Sequence, residues 1–139
     1  MKGKTFAGNY NSLALISAFV IEQAHLAGFS DQDVYDIQTA VDEASANIID
    51  HAYGGENLGS IRIEFQEFSD RVHIVLKDCG KKFDPDEIPE PNMTNLMDGN
   101  NERGLGVYII RKLMDQAIFD FTDPRGNTLT LIKLKKKPA

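Results

Sequence analysis

Residues 31–53 read DQDVYDIQTAVDEASANIIDHAY. Val34, Ile37, Val41, Ala44, Ile48 and Ala52 recur there at spacings of three and four, which marks the buried face of one helix. Ser30 and Asp33 form a capping box at its start, and Gly54-Gly55 breaks it. Glu43, Asn47 and His51 follow one another four residues apart. Residues so spaced stack on one side of a helix, so they form a polar ladder beside the apolar stripe. A helix with one apolar face needs a partner layer, and the rest of the chain supplies it.

Upstream, Leu13, Ile16, Val20 and Ala27 predict a second helix, capped by Asn11 or Ser12 and running to about Ala27. Gly28 stands where a left-handed stop belongs, with apolar Phe29 next to it. Thr5-Phe6-Ala7 reads as a short edge strand. Downstream, Ile61, Ile63 and Phe65 alternate with polar residues, as do Val72, Ile74 and Leu76 after the Ser69-Asp70 turn. The two runs form an antiparallel hairpin. Regular patterning stops from Gly80 to Arg103, where Pro85, Pro89 and Pro91 fall. A helix from Gly104 to about Asp115 follows, then strands over Ala117–Thr122 and Thr128–Lys135 around a turn at 123–127. Helices and strands are grouped rather than alternating. The expectation is an α+β two-layer sandwich: one domain over 1–139, with a mostly antiparallel mixed sheet covered on one face by helices. The lysines at 133 and 135–137 read as a solvated strand edge and tail.

The chain has 139 residues, 42% hydrophobic and 26% charged, with a net charge of -6. That suits a domain able to fill a core. The acidic balance argues against broad binding of a nucleic-acid backbone, but not against a nucleotide, which backbone N–H groups can hold. The single cysteine, Cys79, forms no internal disulfide, and a reducing cytoplasm is the natural expectation. Cys79 itself reads as a small packing residue. No apolar run approaches the ~20 residues of a membrane span, and the Leu13–Ile21 stretch lacks the cleavage pattern of a signal peptide.

Three clusters carry chemistry. In the ladder, the Asn47 carbonyl oxygen is a hard ligand suited to Mg²⁺, which takes one or two protein ligands and completes its shell with phosphates and water. Glu43, one turn back, can accept a proton from an attacking hydroxyl. Alone, the same pattern also describes a solvated helix face. An amide in the set argues against zinc. In the second cluster, Asp78 ends a strand and Gly80 permits a close backbone approach. A carboxylate only accepts hydrogen bonds, so Asp78 would favour the amino group of adenine over the oxygen of guanine. A plain turn at a strand end fits equally. In the third, Gly104 and Gly106 open a helix whose N–H groups face outward to an anion. Arg103 reaches a terminal phosphate or stays in solvent. The patterns G-x-x-x-x-G-K-S/T and complete G-x-G-x-x-G are absent.

In this order, the clusters resemble the GHKL ATPase superfamily, which has the Bergerat fold. Within it the chain is similar to the bacterial anti-sigma-factor serine kinases. The resembling stretches run Ala40–Asn47 through Tyr53, Lys77–Gly80, Phe83–Pro85, Arg103–Ile110 and Gly126–Thr130. The resemblance implies ATP and Mg²⁺ as cofactors, Glu43 as general base and Asn47 as the Mg²⁺ ligand. It also implies that Asp78 binds the adenine amino group with Gly80 beside the base. Gly104 and Gly106 would border the phosphates, Thr130 would sit near adenine, and residues 81–103 would form an ATP lid. Two departures stand out. Lys81-Lys82 replaces a position often held by Gly or Pro, which would stiffen the lid or bring charge toward the phosphates. Glu102 stands where some relatives have arginine, which puts Arg103 in doubt.

The implied function is an anti-sigma factor that is also a serine/threonine protein kinase. It would phosphorylate an anti-sigma-factor antagonist, hold a sigma factor and form a homodimer, without direct contact to nucleic acid or membrane. The alternative is a catalytically silent module in which ATP sets the conformation that captures a protein partner. A stand-alone histidine kinase catalytic domain is the weakest expectation, because 139 residues leave little room for a phosphoacceptor hairpin.

Overall fold

The computed structural model describes residues 1–82 and 102–136; the side chains of 102–105 lie outside that description. Its elements are β1 (Lys2–Ala7), α1 (Ser12–Leu26), α2 (Asp31–Asn47), β2 (Ser60–Glu67), β3 (Arg71–Asp78), α3 (Glu102–Leu113), β4 (Gln116–Asp120) and β5 (Asn127–Leu134). The strands form one sheet in the order β1-β2-β3-β5-β4, and all four pairings are antiparallel. Helices cover one face: Ile16, Val20, Ile37, Val41 and Ile110 share a core cluster with Ile61, Ile63, Ile74, Leu76 and Leu131. Every residue of the predicted α2 stripe is buried. Among the described residues no helix is long and apolar enough to cross a membrane.

The end of α1 follows from its sequence. Gly28 takes φ +91, its N–H donates to the His25 carbonyl, and the Phe29 N–H donates to that of Ala24. This is a Schellman closure with Phe29 buried beside it. At the other end Asn11 holds the N-cap position, as expected, but its side chain makes no capping bond. Asn9 Oδ1 accepts from both the backbone N–H and the hydroxyl of Ser12, because Ser12 is already the first helical residue.

Three further expectations are corrected. First, the α-helix after Ser30 ends at Asn47, and the chain continues as a π turn over Ile48–Tyr53 before Gly54 reverses it at φ +77. The wider turn leaves the Ala52 carbonyl free to accept from the Lys81 N–H at 2.6 Å, which ties it to the chain after β3. Second, α3 starts at Glu102, two residues before the expected Gly104, so Arg103 lies within its first turn rather than before it. Third, the lysine tail is pinned. Lys133 Nζ donates to the Leu113 carbonyl at 2.6 Å, Lys135 pairs with Glu67 and Lys136 with Asp33.

Candidate nucleotide site

The topology decides which ends meet. Because β5 lies between β3 and β4, the last residue of β3, Asp78, pairs with the first of β5, Asn127. On β5 the inward positions alternate: Asn127, Leu129 and Leu131 are buried, while Thr128 and Thr130 are partly exposed. Asn127 therefore projects an amide into the helix-covered side, next to the Asp78 carboxylate.

The corner they make is dense with hydrogen bonds. Asp78 Oδ1 accepts from the Gly80 N–H at 2.8 Å and from Asn127 Nδ2 at 2.9 Å. Asn127 Nδ2 also reaches the carbonyls of Gly80 and Lys81, at 3.1 and 3.3 Å. Both bonds that Asp78 accepts among the described residues fall on Oδ1, which leaves Oδ2 as the outward acceptor. Gly80 is required by packing: a Cβ there would lie 2.5 Å from the carbonyl carbon and oxygen of Ala52 in the π turn. Tyr53 closes the corner from behind. Its hydroxyl donates to the Ser60 carbonyl at 2.6 Å and accepts from the Cys79 N–H at 3.0 Å. Burial, opposed by the bond from the Cys79 N–H and reinforced by the nearby Asp78 carboxylate, pushes the Tyr53 pKa above the ordinary phenol range. Cys79 itself is exposed rather than packed, because strand alternation turns it away from the side that buries Asp78.

A narrow cleft, with about 20 Å³ open to a water molecule, extends from this corner toward α2. Asp78 and Asn47 both line it, and Ile48, Ile110, Phe119 and Phe121 give it apolar walls. A few polar groups set among apolar walls are a suitable lining for a heteroaromatic ring.

At the α2 end, Gly106 of α3 packs directly on the ladder. A Cβ at Gly106 would lie 3.1 Å from Asn47 Oδ1, Asn47 Nδ2 and Glu43 Oε2 alike. The two ladder side chains thus converge on one point beside the first turns of α3. Among the described residues neither has a hydrogen-bond partner for its side chain, although both are half-buried. The neighbouring Asp42 is a further acid: burial raises its pKa, a Ser17 hydroxyl bond opposes this, and Glu43 adds to the rise. Among the described residues, Asp42 Oδ1 is buried without a partner.

Glu43, Asn47 and Gly106 meet at one end of the pocket region, and Asp78 and Gly80 at the other. The histidine kinase-like ATPase domain profile matches residues 6–133 of the chain. The chain belongs to this family. Curated relatives named serine-protein kinase RsbW include that of Bacillus velezensis, 34% identical over 94 residues, which are 65% of this chain and 59% of the relative. That of Staphylococcus epidermidis is 36% identical over 117 residues, 80% of this chain and 72% of the relative. The chain thus spans 59% of the length of the first of these. Two solved structures share the fold. The RsbU and RsbW domains of a Mycobacterium tuberculosis protein give a TM-score of 0.64 at 16% identity, covering 99% of this chain and 34% of that one. The catalytic domain of the histidine kinase ThkA gives 0.56 at 16%, covering 97% and 98%.

Within this histidine kinase-like ATPase domain, several expected residues stand elsewhere. Thr130 pairs with Val75 and Ile118, and the pocket is lined by Thr128, two residues nearer the Asp78 corner, rather than by Thr130. His51 falls in the π turn, is exposed and leaves the ladder. Lys82 turns away from the α2 end: its Nζ donates to the Asp123 carbonyl at 2.7 Å. The Arg103 side chain and residues 83–101, which hold most of the expected lid, lie outside the described residues. Asn127 was missed, although the signal existed. Extending the inward run of Leu129 and Leu131 back by two buries an amide, and a buried amide needs partners.

Proposed function

We propose that the chain binds ATP with Mg²⁺ and phosphorylates serine or threonine on an anti-sigma-factor antagonist. The observation that carries this is the lining of one pocket by Asp78 and Asn47, with Glu43 one turn from Asn47 and against Gly106. Asp78 Oδ2 would accept from the adenine amino group, and the apolar walls would flank the ring. The donor set fits Mg²⁺: Asn47 offers a hard amide oxygen without a hydrogen-bond partner among the described residues, and phosphates and water complete such a shell. When bound, the ion supplies charge neutralisation on the phosphates. Glu43 would take the proton of the attacking hydroxyl, and the first turn of α3, with Gly104 and Gly106, would turn N–H groups to the phosphates.

The relatives' name, serine-protein kinase, supports transfer to a hydroxyl rather than to histidine. A sigma factor as second partner, a homodimer and a cytoplasmic place belong to the same proposal. The test is incubation of the protein with labelled ATP and its candidate antagonist. Label on Ser or Thr of the antagonist is expected. Bound ATP without transfer would reject the kinase and leave a nucleotide-gated binding module.

A further inference from the structure

We propose that Lys82 sets the preference for adenine, acting as a positioning residue through Asn127. This rests on the reading of Asp78 as the adenine partner. A side-chain amide has two nearly isosteric ends, and which end faces Asp78 decides what that carboxylate offers to a ligand. Asn127 Nδ2 faces three acceptors: Asp78 Oδ1, the Gly80 carbonyl and the Lys81 carbonyl. Its other end, Oδ1, receives Lys82 Nζ at 3.2 Å. Flipping the amide would set an oxygen against those three acceptors and an NH₂ against an ammonium. Lys82 therefore locks the amide in one orientation.

The ammonium is itself held. Lys82 Nζ donates to the Asp123 carbonyl at 2.7 Å and the Gly126 carbonyl at 3.4 Å, so three acceptors meet its three hydrogens. Those carbonyls belong to the turn between β4 and β5, whose shape is set by the Gly126 N–H bond to Asp123 and the Arg125 N–H bond to Asp123 Oδ1. Gly126 packs close to the end of β3: a Cβ there would lie 2.6 Å from the Asp78 carbonyl oxygen. One lysine thus ties the chain after β3 to the turn before β5. With Oδ1 of Asp78 held by two donors, Oδ2 becomes the acceptor that faces the pocket. Without Lys82, Asn127 can rotate, and Asp78 loses the donor that keeps its carboxylate in that plane.

The test compares calorimetric affinities for Mg-ATP and for the Mg complex of purine riboside triphosphate, which lacks the exocyclic amino group. The wild type should prefer ATP by about tenfold, the scale of one hydrogen bond to a charged acceptor. Lys82→Met should lose most of that preference while keeping its affinity for the desamino nucleotide. Lys82→Arg, which keeps donors, should recover most of it. In an Asn127→Ala background, Lys82→Met should change the preference no further. If Lys82→Met lowers both affinities equally, or neither, the inference fails while the Asp78 reading stands. An additive effect in the Asn127→Ala background also overturns it, as does an unrestored preference in Lys82→Arg. A wild type that binds both nucleotides equally, or neither, removes the Asp78 reading and this inference with it. Should Lys82→Met fail to fold, Asn127→Ala alone decides: it should lose most of the preference, and a preference kept at the wild-type level overturns the inference.

Discussion

The two ends of the site are built in opposite ways. At the β3–β5 corner, Asp78 Oδ1, Gly80, Asn127 and Lys82 satisfy one another within the protein. At the α2–α3 end, Glu43 and Asn47 converge on Gly106 without hydrogen-bond partners among the described residues. The first end is an organised acceptor that holds its shape alone. The second is a set of oxygens that gains its interactions from a ligand. Polar groups satisfied inside a fold contribute to stability, whereas unsatisfied ones are retained at its expense for function.

That contrast predicts how substitutions divide. The largest effect belongs to the α2 end and touches chemistry alone: Glu43→Gln should lower phosphoryl transfer by about 10²–10⁴-fold, the usual contribution of a general base. ATP affinity by calorimetry and thermal stability should stay near wild type. A Glu43→Gln protein that transfers phosphate at the full rate would remove Glu43 as base.

At the other end, Gly80→Ala should cost stability, on the order of 1–3 kcal/mol of overpacking, because backbone rather than a flexible side chain meets the new Cβ. A denaturant midpoint equal to wild type would show that the corner is looser than described. Asp78→Asn should fold, since the amide oxygen can still accept from Gly80 and Asn127. It should lose about 1–3 kcal/mol of ATP affinity, because an NH₂ then faces the adenine amino group. Unchanged affinity in a titration would refute that placement.

The smallest effects return to α2. Asn47→Ala should shift stability by no more than about 0.5 kcal/mol in the absence of nucleotide, since no hydrogen-bond partner among the described residues is lost and alanine is the better helix former. A large destabilisation would mean that Asn47 is structural. Asp42→Asn should raise the melting temperature at neutral pH. The folded state raises the Asp42 pKa, so its contribution to stability is fully present below the unfolded carboxylate value. It is lost as pH rises through the folded value. The gain over wild type should therefore shrink toward zero on acidification, and a gain that grows in acid would reverse the sign of this argument.

Much of this was written in local pattern. The stripe Val34 to Ala52, the alternation of Ile61 to Leu76 and the Gly28 stop each have a short-range cause. The same holds for Glu43 and Asn47, four apart on regular α-helix. What escaped depends on contacts far along the chain. No local signal distinguishes the π turn from a straight helix, because the bond between Ala52 and Lys81 that accompanies it spans the hairpin. Thr130 and Thr128 share one face of β5, and only the pairing of Asp78 with Asn127 shows which of them stands nearer the pocket. Lys82 was expected to stiffen the lid or carry charge toward the phosphates, and only the folded chain brings it against the β4–β5 turn.

The central claim is that the carboxylate of Asp78 and the amide of Asn47 serve one nucleotide. Titration of labelled protein with Mg-ATP, followed by NMR, tests it most directly. The backbone N–H groups of Gly80 and Gly106 and the side-chain amides of Asn47 and Asn127 should shift together with a single dissociation constant, while Thr130 stays still. Shifts confined to one of the two ends, or two ends following different constants, would contradict it.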